Sequence, residues 1–169
     1  MTAVDAIRLA LFPTLMAFAA SSDLLTMTIS NRVSLALTAG FAVLALTTGM
    51  PLAAIGMHVA AAAAVLVVGF IFFSQGWIGG GDAKLFAATA LWFGFDHLLD
   101  YATYASIFGG VLTLVLLQFR KLPLPAVLAR QPWIMRLHEE RGGIPYGIAL
   151  AAAALIIYPK TGWMPGATP

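Results

Sequence analysis

This sequence predicts an all-α, polytopic transmembrane helical bundle of about six helices, and three observations predict it. Of its 169 residues, 61% are hydrophobic and only 9% are charged, whereas a soluble domain carries roughly 25% charged residues. The apolar residues gather into six runs with short polar connections, the runs approaching the roughly 20 residues that carry a helix across a bilayer. The basic residues are shared unequally between alternate connections, as they are in proteins oriented by the positive-inside rule.

The runs cover residues 6–20, 33–48, 52–73, 85–95, 98–119 and 144–158. The first is short, and its apolar stretch after Arg8, ending in Ala17-Phe18-Ala19, competes with a signal peptide that has a small-residue cleavage site. Asp5 weakens the positive flank such a signal needs, and cleavage after Ala19 would leave Asp23 beside an exported terminus, so a retained span is the better reading. Runs 52–73 and 98–119 span on length alone. Run 85–95 reaches across only by borrowing residues from the glycines before it. With connections this short, residues 1–169 read as a single integral membrane domain with no separate soluble domain.

Numbering these spans one to six sorts the basic residues. Arg32, Lys84, Arg120, Lys121, Arg130, Arg136 and Arg141 fall on one side, and Arg8 and Lys160 on the other. The first side is the expected cytoplasmic one, with both termini on the opposite side. Asp23 follows span one and Asp82 follows span three, so two crossings return the chain to the same face. The net charge of +2 reflects this loop asymmetry and not a nucleic-acid surface. The absence of cysteine excludes a disulfide framework, a thiolate nucleophile and a Cys-ligated zinc site.

Two residues stand out as chemistry. Asp23 lies in Ser21-Ser22-Asp23-Leu24-Leu25, immediately after an almost uninterrupted apolar helix, where an ionisable group is costly and marks a functional candidate. Its bland reading is an interfacial helix cap. Asp82 closes Gly79-Gly80-Gly81-Asp82 just before Lys84 and another apolar run. Three glycines remove every side chain, opening φ angles closed to other residues and letting a second backbone approach the carboxylate. The competing reading is a flexible turn with Asp82 capping the next helix, and no Gly-Lys-Ser/Thr follows to make it a phosphate loop. Lys84 either biases Asp82 toward ionisation or extends to the lipid headgroups.

Two carboxylates on one face suggest aspartic-protease chemistry, in which a shared proton and a held water attack an amide carbonyl. Other groupings are weaker. His138-Glu139-Glu140 begins like a zinc helix, but Gly142 stands where a second histidine is needed, so a solvated charged loop is expected. Asp96-His97 with Asp100 falls on the opposite face as a polar turn between spans four and five, and His58 reads as a hydrogen-bonded packing residue. No metal site and no cofactor is expected.

The stretch Gly79-Gly80-Gly81-Asp82-Ala83-Lys84-Leu85 resembles the GxGD membrane aspartic peptidases of the type IV prepilin peptidase family, in particular the short prepilin peptidases of tight-adherence (Flp-type) pili. Ile29-Ser30-Asn31-Arg32 after the first aspartate and Ile144-Pro145-Tyr146-Gly147 opening the last helix extend the resemblance over essentially the whole chain. The resemblance implies that Asp23 and Asp82 are catalytic and that Gly79, Gly80, Gly81 and Lys84 form an active-site loop. It implies prepilin or pseudopilin precursors as substrates, cut at the junction before their hydrophobic helix. The implied setting is the bacterial cytoplasmic (inner) membrane, with the site facing the cytoplasm. The chain departs from the family in having Ser30 where proline is common and in lacking basic residues soon after the first aspartate, which bears on substrate preference. Longer members add a cysteine-bearing domain linked to N-methylation. Nothing similar stands in this sequence, so proteolysis without methyl transfer is expected. Two other classes compete: a non-enzymatic assembly factor that binds pilin helices, and a small transporter using the aspartates as ion sites. The mostly Ala, Leu, Val and Phe helices lack the polar path a transporter needs.

Overall fold

The computed structural model describes residues 2–140 and 142–164, and Arg141 of the charge count above lies outside them. Every regular element among the described residues is helical: α1 (Ala3–Thr26), α2 (Asn31–Thr47), α3 (Leu52–Ser74), α4 (Gly80–Phe119), α5 (Pro132–His138) and α6 (Gly147–Ile157). Short 3-10 turns lie at Leu128–Arg130 and Tyr158–Lys160. α1, α3 and α4 are long and apolar enough to cross a membrane, and α2 and residues 147–160 are shorter apolar helices. The chain is an integral membrane protein.

These six helices are not the six apolar runs. Runs 85–95 and 98–119 belong to one 40-residue helix that breaks at Gly94, whose φ of 60° and ψ of −169° are not helical. The break reverses the chain. Fifteen residues of unbroken helix would separate Phe86 from Tyr101 by about 22 Å, yet their ring centroids lie 4.9 Å apart. α4 is therefore a helical hairpin with antiparallel halves, 80–93 and 95–119. Only glycine adopts that conformation cheaply, and a Cβ at Gly94 would also sit 3.1 Å from His58 Cε1.

Two boundaries move from the sequence expectation. α1 continues through Thr26 and stops at Met27, a left-handed residue with φ 56°, so Asp23 sits inside the helix and not after it. Gly80 and Gly81 are the first residues of α4 with Gly79 as its cap, so the expected glycine loop is a helix start. None of the three glycines has positive φ. The run weighed as a signal peptide is part of the core, with Phe12 and Met16 of α1 wholly buried.

At one end of the bundle the core is aromatic. Phe12 stacks on Tyr158 at 4.4 Å and tilts against Trp92 at 5.1 Å. Trp92 Nε1 donates to the Leu37 carbonyl at 3.0 Å and Trp163 Nε1 to the Trp92 carbonyl at 2.7 Å, tying α2, α4 and the C-terminal turn together. At the other end α5 turns Ile134 and Leu137 inward. Arg120 donates to the carbonyls of Leu137 and Gly143 at 2.8 and 2.7 Å, and Arg136 to that of Leu25. α3 packs on α4 and leaves Val67, Phe70 and Ile71 exposed as expected of a lipid-facing surface.

Candidate active site

Three helix ends meet at the α5 end of the bundle: the last turns of α1, the first turn of α4 and the first turn of α6. Helix N-termini carry unpaired N–H groups and a positive dipole end, so α4 and α6 both favour a carboxylate placed there. Asp23 from α1 answers α6. It is 5% exposed, and its Oδ2 accepts the Gly147 N–H at 2.7 Å. The capping role considered for Asp23 exists, but for another helix than its own.

Asp82 answers α4. It is half-buried in the first turn, with Gly79 alongside. A Cβ on Gly79 would stand 2.7 Å from Asp82 Oδ2, and one on Gly147 would stand 2.8 Å from Asp23 Oδ2. Each carboxylate therefore lies against a glycine at a distance where a Cβ would force it to shift. This close approach, and not an unusual φ, is what the glycines contribute. The two carboxylates are near enough for the charge of Asp23 to bear on Asp82.

Ile29 holds the junction together. Its side chain lies where a Cβ on Gly81 would be 3.2 Å away and one on Gly147 would be 2.8 Å away, so it packs between α4 and α6. The next residue, Ser30, caps α2 by accepting the Arg32 N–H at 3.3 Å, which starts that helix without a proline. Lys84 is exposed and donates to Asn31 Oδ1 at 3.0 Å, so it bridges α4 to α2.

The structure thus brings together Asp23, Asp82, Gly79 and Gly81, with Lys84 at the rim. Gly80 instead faces Phe73, 3.2 Å from where its Cβ would be. Gly147 was quoted in the sequence only as part of a motif, yet it is the hydrogen-bond partner of Asp23. Its signal was a glycine at the N-terminus of an apolar helix. Tyr146 beside it packs its phenol against the backbone of Gly109 in α4, which fixes the start of α6. Ile29 carried no chemical signal at all.

The other candidate groups lie elsewhere. Asp96 and His97 follow the Gly94 reversal and line a cavity of about 200 Å³ at the opposite end, with Arg8, His58 and Trp163. His58 Nδ1 bonds the Leu91 carbonyl at 2.8 Å, the packing role expected of it. His138 ends α5 with its ring on Phe119 at 5.1 Å, and Glu139 and Glu140 are exposed.

Two carboxylates held against glycine backbone near one another can share a proton and bind one water. A family model described as the type IV leader peptidase family matches residues 10–114, a stretch that includes Asp23 and Asp82 and stops short of Gly147. No curated protein and no solved structure matches.

Proposed function

The chain belongs to the type IV leader peptidase family, and from that membership we propose that it is a GxGD-class aspartic endopeptidase that removes the leader peptide of Flp-type prepilins for pilus assembly. Membership makes it a membrane protease with a prepilin peptidase role. The aspartic chemistry, the Flp-type substrate and the orientation are the further steps of this reading. The observation that carries it is the convergence of Asp23 and Asp82 on glycine backbone where α1, α4 and α6 meet.

In the proposed mechanism one carboxylate is ionised and the other protonated. The first takes a proton from a bound water as that water attacks the scissile carbonyl, and the second donates to the carbonyl oxygen and then to the departing amine. The glycines of the first turn of α4 leave room for an extended leader segment beside Asp82. Neither metal nor organic cofactor is needed for these steps. Residues 1–169 act as one domain in this reading. The site faces the cytoplasm of the bacterial inner membrane, because the site end also carries Arg32, Lys84, Arg120 and Arg136 while Arg8 and Lys160 lie at the other.

Co-expression of an Flp-type prepilin with the wild type, Asp23→Asn or Asp82→Asn tests this, read by gel mobility and by the mass of the new N-terminus. The wild type should shorten the precursor and each variant should leave it full length. Unaltered processing by both variants would sink the aspartic mechanism.

A further inference from the structure

We propose that the apolar groove between α2 and α3 receives the apolar helix of the substrate, so that this groove selects which precursors are cut; the inference rests on the peptidase reading above. α2 and α3 follow one another in sequence but scarcely touch, since α3 packs on α4, and α2 on α1 and α4. The wedge between them is a groove of about 850 Å³ whose floor is the α4 stripe Lys84, Ala87, Ala88 and Leu91. An i, i+3, i+4, i+7 stripe is one face of a helix, here one whose Ala88 and Leu91 are also part of the buried core. α2 lines the groove from Asn31 to Leu46, about 22 Å at 1.5 Å per residue, which is most of the roughly 30 Å hydrocarbon depth of a bilayer.

Composition decides the occupant. The outward face of α3 near Phe70 and Ile71 is bulky, whereas the groove walls include Ala42, Ala45 and Ala62. Small residues let a second helix bring its backbone close, which is how helices associate in membranes. The groove's one charged residue, Lys84, lies at the end nearest the aspartates, where it bonds Asn31. The groove therefore fits an apolar helix of about the bilayer's depth whose chain continues, extended and polar, over the Asn31–Lys84 rim. A precursor cut just before its apolar helix has that form. Asp82 precedes Lys84 by two residues and so points about 200° around α4 from it, and the extended segment passes from the rim over the glycine start of α4 to reach it. A lipid acyl chain would occupy the volume but deliver no peptide bond to the rim.

The chain contains no cysteine, so introduced thiols report without background. In Asp82→Asn protein, Leu35→Cys and Val59→Cys on the groove walls are paired with cysteines placed along the apolar helix of a prepilin that the wild type cuts. Leu114→Cys on the exposed face of α4 is the comparison. Cross-links should form from Leu35 and Val59 with a helical repeat along the substrate, and about tenfold less from Leu114. Ala42→Trp, which fills the groove from an exposed wall position, should slow cleavage of the full-length precursor at least about tenfold while a short peptide spanning the cut site is processed as by the wild type. Equal cross-linking from Leu114, absence of groove cross-links, or wild-type processing by Ala42→Trp would overturn the groove assignment. Should Ala42→Trp cut neither substrate, the cross-links alone decide. Failure of the unaltered protein to cut any prepilin would instead overturn the peptidase reading, and is measured independently.

Discussion

The two ends of this bundle both carry charged side chains, but they are built by opposite means. At the far end, Trp92, Tyr158 and Trp163 form an aromatic cluster whose polar atoms donate to backbone carbonyls at 2.6 to 3.0 Å. Rigidity there comes from large rings and from hydrogen bonds that span the chain from Arg8 to Trp163. At the site end, Asp23 and Asp82 lie against Gly147 and Gly79, and a single aliphatic side chain, Ile29, fills the junction. Bulk surrounds the polar groups of one end and has been removed from around those of the other. Glycine at the site end lets backbone meet the carboxylates directly, whereas the far end sets His58, His97 and Asp96 beside Trp92 and Trp163. The proposed chemistry is placed at the glycine end for that reason, although the far end has the more varied set of titratable residues.

The sharpest way to break this contrast is to remove one carboxylate from each end. Asp82→Asn should lower prepilin cleavage by about 10²- to 10⁴-fold, the usual worth of a general acid or base. Asp96→Asn, at the far end, should leave the rate unchanged. Equal losses would mean that the two ends do not differ as described. Next in size is Gly147→Ala, because the added Cβ would stand 2.8 Å from both Asp23 Oδ2 and Ile29 Cδ1. Something must shift, and a displacement near 1 Å at a reacting group costs roughly 10²-fold. Cleavage should fall accordingly while full-length protein still accumulates in the membrane; wild-type kinetics would show that the Asp23–Gly147 contact does not position the carboxylate. A smaller effect is expected of Lys84→Met, which removes the bridge to Asn31. One exposed hydrogen bond is worth about 0.5–1.5 kcal/mol, so KM should rise by roughly two- to tenfold with little change in kcat. A fall in kcat as large as that of Asp82→Asn would assign Lys84 to the chemistry itself.

The same contrast explains what could be read beforehand. Composition and run spacing were enough for an all-helical membrane bundle, because burying backbone in lipid leaves few alternatives. Counting crossings was enough to put Asp23 and Asp82 on one face, since parity survives errors in helix ends. The ends themselves were misread wherever polar residues continue a helix. Ser21 and Thr26 satisfy their hydroxyls on the carbonyls of Ala17 and Ser22, at 2.8 and 2.7 Å, so α1 runs on where hydropathy stops. Gly79–Gly81 looked like a loop because glycine disfavours helix, but the close approaches of Phe73, Ile29 and Asp82 outweigh that preference. Gly147 escaped notice because its role depends on a partner 124 residues away. The reversal was expected as a polar turn between spans four and five, but its place at Gly94 was not, and it is fixed by the φ of 60° there and by the meeting of Phe86 with Tyr101.

The smallest effect on catalysis is expected from the largest disturbance to the far end. Trp163 is 4% exposed, packs on Trp92 with ring centroids 5.1 Å apart and gives its indole N–H to the Trp92 carbonyl. Trp163→Phe keeps a ring in place but strands that carbonyl, and an unsatisfied buried acceptor costs about 1–3 kcal/mol. Thermal unfolding in detergent should therefore begin at lower temperature. Below that transition, cleavage should proceed at the wild-type rate, because the rings Trp163 packs on are Phe41, His58 and Trp92 at the far end. Parallel loss of stability and rate would mean that the aromatic end sets the geometry of the aspartates. Loss of stability alone would mean that the fold separates the rigid end, which holds the helices together, from the open end, where a peptide can enter.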